Sequence, residues 1–144
     1  MKSENIRKYE SKDLGRIMEI WLNTNIEAHD FIDEKYWRDN FGMVKEMMPS
    51  AELYVFGENS EIKGFVGVMD NYIAGIFVEG NNKSRGIGKK LLDFVKYKKD
   101  SLELSVYEKN TRAMNFYKRE GFEIGEKNID ENTDEVEIKM IWSK

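Results

Sequence analysis

Between Tyr72 and Val95 the chain has to change from strand to helix through glycine. The apolar run Ile73-Ala74-Gly75-Ile76-Phe77-Val78 reads as a buried strand. A polar segment follows, and Lys83-Ser84-Arg85-Gly86-Ile87-Gly88 opens a helix with Ile87, Leu91, Leu92 and Val95 on one stripe and its lysines on the other. A strand that turns through glycines into a helix makes an anion site. The first N–H groups of a helix have no intrahelical partners, and no Cβ at Gly86 or Gly88 keeps a phosphate or pyrophosphate away from them. Lys83, Arg85, Lys89 and Lys90 surround that point with positive charge. Taken alone, a Gly-x-Gly turn reads equally well as a helix cap, so the rest of the chain has to decide.

Upstream of this unit, Ile6 to Lys8 is a short edge-like strand, and Ser11 is a plausible N-cap for a helix in which Leu14, Ile17, Met18, Trp21 and Leu22 recur at helical spacing. That helix should end near Ile26. Asp33 is a good N-cap for a second helix running to about Met48, where Pro49 stops it. Leu53-Tyr54-Val55-Phe56, the turn composition Gly57-Glu58-Asn59-Ser60, and Ile62 to Met69 predict a hairpin. Asp70-Asn71 then turns into the central strand, so three strands meander antiparallel.

Downstream, Leu102, Leu104 and Val106 alternate in a strand that must lie parallel to the central one, because a helix joins them. Asn110 or Thr111 caps a last helix carrying Ala113, Phe116 and Tyr117, which Gly121 closes. Phe122-Glu123-Ile124 starts a strand, Asp130-Glu131-Asn132 turns it, and Val136, Ile138, Met140 and Trp142 alternate in the final one. The pattern is mixed α/β, with mostly antiparallel strands and one parallel crossover.

Composition narrows the chemistry. The 144 residues fit one domain, residues 1–144, able to bury its own core. With no cysteine there is no disulfide framework and no thiolate catalysis, and with one histidine a multi-histidine metal site is excluded, so no metal is expected. Catalysis is left to Tyr, Ser, Asp, Glu, Lys or His29. No apolar run approaches the roughly 20 residues of a membrane span, and Met1 to Asn5 lacks a signal-peptide core, so a soluble, cytoplasmic protein without a membrane partner is expected. A net charge of -4 argues against a nucleic-acid partner. Between residues 79 and 99, however, Lys83, Arg85, Lys89, Lys90, Lys96, Lys98 and Lys99 face only Glu79 and Asp93, a local cluster suited to a phosphorylated ligand.

Two motifs in this order resemble the GNAT N-acetyltransferase superfamily, and within it the small single-domain bacterial branch of the YjaB/YiaC type. Lys83-Ser84-Arg85-Gly86-Ile87-Gly88 is similar to the family's pyrophosphate loop, Gln/Arg-x-x-Gly-x-Gly/Ala. The block from Asn110-Thr111-Arg112-Ala113 through Phe116-Tyr117 to Gly121-Phe122 is similar to its Asn-x-x-Ala-x-x-Phe-Tyr-x-x-x-Gly-Phe. Ala28-His29-Asp30-Phe31-Ile32 with Tyr36-Trp37-Arg38 adds a weaker likeness. The sequence departs from the family at Lys83, which keeps a cation near phosphate but lacks the bidentate fork of arginine, so Arg85 is a candidate for that task. It departs again at Gly80, where many members have proline.

The resemblance implies an α/β (α+β) fold with a mixed, mostly antiparallel sheet of about six or seven strands, about four helices, and a V-shaped cleft between two splayed parallel strands. It also implies acetyl-CoA as donor and an amine as acceptor, either a small molecule or a protein lysine or N-terminus, bound by a monomer or homodimer. The central strand around Ile76, Phe77 and Val78 would pair with the pantetheine arm, and Lys83, Ser84, Arg85, Gly86, Ile87, Gly88 and Lys89 would hold the pyrophosphate. Asn110 would bond the cofactor arm, beside its plainer role as a helix cap. Tyr117 would be the general acid for the leaving thiolate, against the plainer reading of a packed aromatic. Phe116, Ala113 and Phe122 are assigned to core. For the base, Glu79 directly follows the central strand and His29 has the better ordinary pKa; the plain readings are a solvated carboxylate and a loop-to-helix hydrogen bond. The rival function is a catalytically silent acyl-CoA-binding or sensing module. A nucleotide-phosphate domain is disfavoured because Lys89 and Lys90 follow Gly88 without the hydroxyl residue of a P-loop.

Overall fold

The computed structural model describes residues 5–80 and 86–144. Among these, β1 (Ile6–Lys8), α1 (Leu14–Ala28), α2 (Glu34–Met47), β2 (Glu52–Glu58), β3 (Glu61–Met69), β4 (Tyr72–Val78), α3 (Ile87–Lys98), β5 (Ser101–Tyr107), α4 (Thr111–Arg119), β6 (Glu123–Asp130) and β7 (Glu135–Ser143) follow in order. The strands form one sheet in the order β1-β2-β3-β4-β5-β7-β6. Every neighbouring pair is antiparallel except β4 with β5, which the α3 crossover makes parallel. The mixed sheet, the four helices and the meander match the expectation from sequence.

The helices cover opposite faces. Ile87, Leu91, Leu92 and Val95 of α3 pack with Tyr117 of α4 onto Val66, Val68 and Ile73, while Ile17, Met18, Ile20 and Trp21 of α1 pack with Trp37 of α2 onto Leu53, Val55 and Phe65. Period-3.6 stripes thus meet the two faces of period-2 strands. No helix among the described residues is long and apolar enough to cross a membrane.

Two boundaries differ from the sequence reading in ways that bear on function. Ser11 begins a single 3-10 turn through Asp13 and does not cap α1. Asp13 is buried and accepts both Arg7 guanidinium N–H groups at 2.8 and 2.9 Å and the Glu10 N–H at 2.8 Å, so a contact six residues upstream fixes where the helix starts. At its other end α1 continues past Ile26 to Ala28, closed by the His29 N–H on Asn25 O at 3.0 Å. His29 therefore stands one helical turn beyond Asn25 on the same face.

β4 contains a tight spot. A Cβ on Gly75 would fall 2.3 Å from Cζ of Phe77, whose ring stacks on Phe65 with centroids 4.8 Å apart. Gly75→Ala is expected to push that ring off its partner and cost about 1–3 kcal/mol, read as a lower urea midpoint at unchanged slope. An unaltered midpoint would mean that Phe77 moves aside freely.

Candidate active site

The parallel pair is barely a pair. β4 and β5 are matched at Tyr72 and Glu103, with the Glu103 N–H on Asn71 O at 2.9 Å, and beyond that the strands part toward Val78 and Tyr107. A cavity of about 670 Å³ occupies the opening. Ile87, Gly88, Phe116 and Tyr117 line it from the α3–α4 face, Thr24, Asn25, Ala28 and His29 from the α1 face, and Ile76, Phe77 and Val78 lie between. A cavity walled by helices from both faces passes through the sheet.

The direction of the β4 backbone in this gap follows from its pairing with β3. The Glu79 N–H bonds Lys63 O at 2.9 Å, and the register carries Phe77 opposite Phe65 and Gly75 opposite Gly67. Antiparallel ladders alternate, so Phe77 and Gly75 turn their backbone groups to β3 while Ile76 and Val78 turn theirs to the gap. Of the three residues expected to meet the donor, these two offer N–H and C=O groups without a facing strand. Phe77 contributes a side-chain wall.

At one end of the cavity stands the start of α3. Gly86 is its N-cap at φ +80°, a left-handed conformation, and a Cβ there would meet nothing within 4 Å. Gly88 is in the first turn, where a Cβ would make only ordinary contacts with Phe116, Val78 and Ile76 at 3.7–4.0 Å. The fold requires glycine at 86 for its φ and leaves 88 open, so the need for glycine at 88 is the space in front of the helix. Lys89 lines the same end, and its Nζ donates to Glu120 Oε1 at 3.0 Å and lies 3.4 Å from Asp93. Lys83, Ser84 and Arg85 lie outside the described residues.

Near the other end the structure brings Tyr117, Asn110 and His29 together in the cavity wall. Tyr117 is 8 % exposed, edge-on to Phe116 and Phe122 at centroid distances of 5.1 and 5.4 Å. Burial, with Tyr72 nearby, pushes its phenol above the ordinary value near 10, so it is protonated at neutral pH. The Asn110 Oδ1 accepts from the Ala113 N–H at 3.2 Å, which makes Asn110 the cap of α4 and leaves its NH₂ facing His29 Nε2 at 3.2 Å. An NH₂ can only donate, so Nε2 is the unprotonated nitrogen of the imidazole. The ring stacks on Trp37 at 5.2 Å and meets Phe31 and Tyr107 edge-on. Tyr107 in turn donates to Asp130 at 2.6 Å. Phe116 and Ala113, assigned to core from sequence, also line the cavity, whereas Phe122 is buried.

Glu79 is placed differently. Its carboxylate meets the Arg16 guanidinium, which also donates to Ile62 O at 3.0 Å, and Glu79 is not among the cavity-lining residues. The pair ties the end of β4 to α1 and β3. Of the two candidate bases, the cavity wall contains His29.

Sequence reasoning missed Thr24 and Asn25, both 6 % exposed and both in the wall. The signal was present: two polar residues continue the buried stripe of Ile17, Met18, Ile20 and Trp21, where apolar ones would serve packing better.

Comparison with known proteins places this geometry. Residues 49–124 match the model of the acetyltransferase (GNAT) domain family. The peptidyl-lysine N-acetyltransferase YiaC of Escherichia coli is 37 % identical over 121 residues, 83 % of each chain. The solution structure of apo-form YjaB from Escherichia coli superposes with a TM-score of 0.85 at 22 % identity over 95 % of both chains. A Bacillus anthracis protein assigned as a streptothricin acetyltransferase, solved in complex with acetyl coenzyme A, is 26 % identical at a TM-score of 0.60, covering 65 % of this chain and 62 % of its own.

The two glycines at the α3 start should respond oppositely to alanine. Gly86→Ala forces a Cβ into φ +80° and is expected to cost about 1 kcal/mol, whereas Gly88→Ala, in a helical turn with room for a methyl, should be neutral or stabilising by less than about 1 kcal/mol. Thermal denaturation of the two variants without ligand reads the contrast. Equal destabilisation would refute the assignment of the two roles.

Proposed function

Because the chain belongs to the GNAT acetyltransferase family, we propose that it moves the acetyl group of acetyl-CoA to the primary amine of a peptidyl lysine by direct attack in a ternary complex. The observation that carries this reading is the passage through the sheet between β4 and β5, open to a helix N-terminus on one side and to the His29 wall on the other. YiaC, a peptidyl-lysine acetyltransferase by name, supports the acceptor class, and the acetyl-CoA complex of the Bacillus anthracis protein supports the donor.

In this mechanism the gap-facing groups of Ile76 and Val78 pair with the amides of the pantetheine arm, and one of the two N–H groups polarises the thioester carbonyl. Donors preset where the oxyanion develops supply several kcal/mol of barrier lowering. The free N–H groups at the start of α3, with Lys83 and Arg85 just before it in the sequence, hold the pyrophosphate. The amine comes from the α1 side. Its nitrogen attacks the carbonyl carbon, a C–N bond forms and the C–S bond breaks. Tyr117 gives its proton to the leaving thiolate, and the proton shed by the amine nitrogen passes through water to His29 Nε2, which gives up its hydrogen bond from the Asn110 NH₂ to receive it. With no cysteine in the chain, a thioester on the enzyme has no carrier.

Two measurements test the proposal. Acetyl-CoA at 100 times its dissociation constant should stabilise the protein by about 2.7 kcal/mol, with ATP giving no comparable thermal shift. No shift with acetyl-CoA would end the reading, and a shift without CoA release for any amine in a panel would favour the silent binding module. Tyr117→Phe should lower kcat by roughly 10- to 10⁴-fold with little change in acetyl-CoA affinity. Because burial raises the Tyr117 pKa, the wild-type kcat profile should show no alkaline loss from this group below about pH 10. Unchanged turnover in Tyr117→Phe would assign proton delivery to water.

A further inference from the structure

The α1 wall of the cavity offers two side-chain hydrogen-bond acceptors, on Asn25 and Thr24. Asn25 is 94 % buried by its 6 % exposure, and its Nδ2 donates to Trp21 O at 2.9 Å. Only an NH₂ can bond a carbonyl, so the orientation of the amide is settled and Oδ1 is the atom left over. Among the described residues nothing donates to it, and Asn25 lines the cavity. Thr24, next in the wall, spends its hydroxyl proton on Ile20 O at 2.7 Å, which leaves the lone pairs of Oγ1. Both residues line the cavity, one oxygen without a donor among the described residues and one with lone pairs to spare, so this stretch of wall suits a ligand rich in N–H.

We propose that Asn25 Oδ1 and Thr24 Oγ1 form the seat of the acceptor amine, each taking one N–H of a neutral primary amine so that its lone pair faces the gap beside Ile76 and Val78. The inference rests on the acetyl-transfer reading and gives it a specificity rule. Two acceptors satisfy the two N–H groups of R–NH₂, whereas a secondary amine has one N–H and leaves an oxygen unmet. The seat is also neutral. A carboxylate in its place would hold the acceptor as ammonium, which has no lone pair to attack with, while an amide and a hydroxyl orient the amine without stabilising its protonated form.

The test uses wild type, Asn25→Leu, Asn25→Asp and Thr24→Val with a blocked peptide carrying one lysine and with the same peptide Nε-monomethylated, following CoA release. The acetyl-CoA thermal shift, which the seat does not touch, verifies that each variant is folded and binds donor. Asn25→Leu should lower kcat/KM for the lysine peptide about 10- to 100-fold, mainly through KM, and narrow the preference for lysine over methyl-lysine. Asn25→Asp should move the acidic limb of kcat to higher pH, because the bound amine is then held as ammonium, a change that a packing role would not produce. Thr24→Val, nearly isosteric, should give a several-fold loss in the same direction and decides the matter if the Asn25 variants do not fold. Wild-type failure to release CoA with any amine would overturn the transfer reading and this one with it. An active wild type whose folded Asn25→Leu and Thr24→Val variants keep its amine KM would overturn the amine seat alone.

Discussion

β4 and β5 are joined at Tyr72 and Glu103 and nowhere beyond, and the use of this fold depends on their not closing again. Each strand is held from its outer side. β4 is laddered to β3 from Tyr72 to Val78, and β5 to β7 along its whole length, Ser101 to Tyr107. Two half-sheets therefore meet at one point and diverge from it. In a sheet interior, unpaired backbone groups have to find partners. Here those groups belong to Ile76 and Val78, and in the proposed complex a ligand with amides along an extended arm would supply the partners as a third strand would.

The parted halves are tied together by side chains at the ends of helices. Asn110 caps α4 with its oxygen and reaches the end of α1 with its nitrogen, so the residue that starts the Tyr117 helix also orients His29. On the far side Lys89 of α3 meets Glu120 just past α4. Each tie joins elements flanking the cavity.

Much of this was legible in the sequence, because it rests on periodicity and local turn chemistry. The Ile87, Leu91, Leu92 and Val95 stripe, the Asn110 cap and Gly121 at φ +93° are set by spacing within a few residues. The misses came from contacts between distant residues. Arg16 and Glu79 are 63 positions apart, and only the fold reveals that the carboxylate after the central strand is engaged by a guanidinium. Arg7 displaced the start of α1 from the local signal at Ser11. That Ile76 and Val78, and not Phe77, face the gap depends on the register with β3, since a slip of one residue would exchange them.

The distribution of charge in the cavity wall follows the chemistry assigned to it. Among the described residues its formally charged members, Lys89, Arg112, Arg119 and Glu120, come from α3, α4 or the residue just after α4. The α1 and β4 contributions are Thr24, Asn25, Ala28, His29, Ile76, Phe77 and Val78, with the Asn110 NH₂ on His29 Nε2 and Tyr117 opposite them kept protonated. In the proposed reaction this keeps formal charge off the α1 and β4 walls, where a neutral amine would meet a neutral thioester. Poor solvation disfavours ammonium over amine, and it also strengthens a backbone N–H against the oxyanion that appears as the bond forms. A carboxylate base at the position of Asn25 would work against both effects. An acceptor wall of amide, hydroxyl and imidazole can receive N–H groups and a proton without first stabilising the unreactive ammonium.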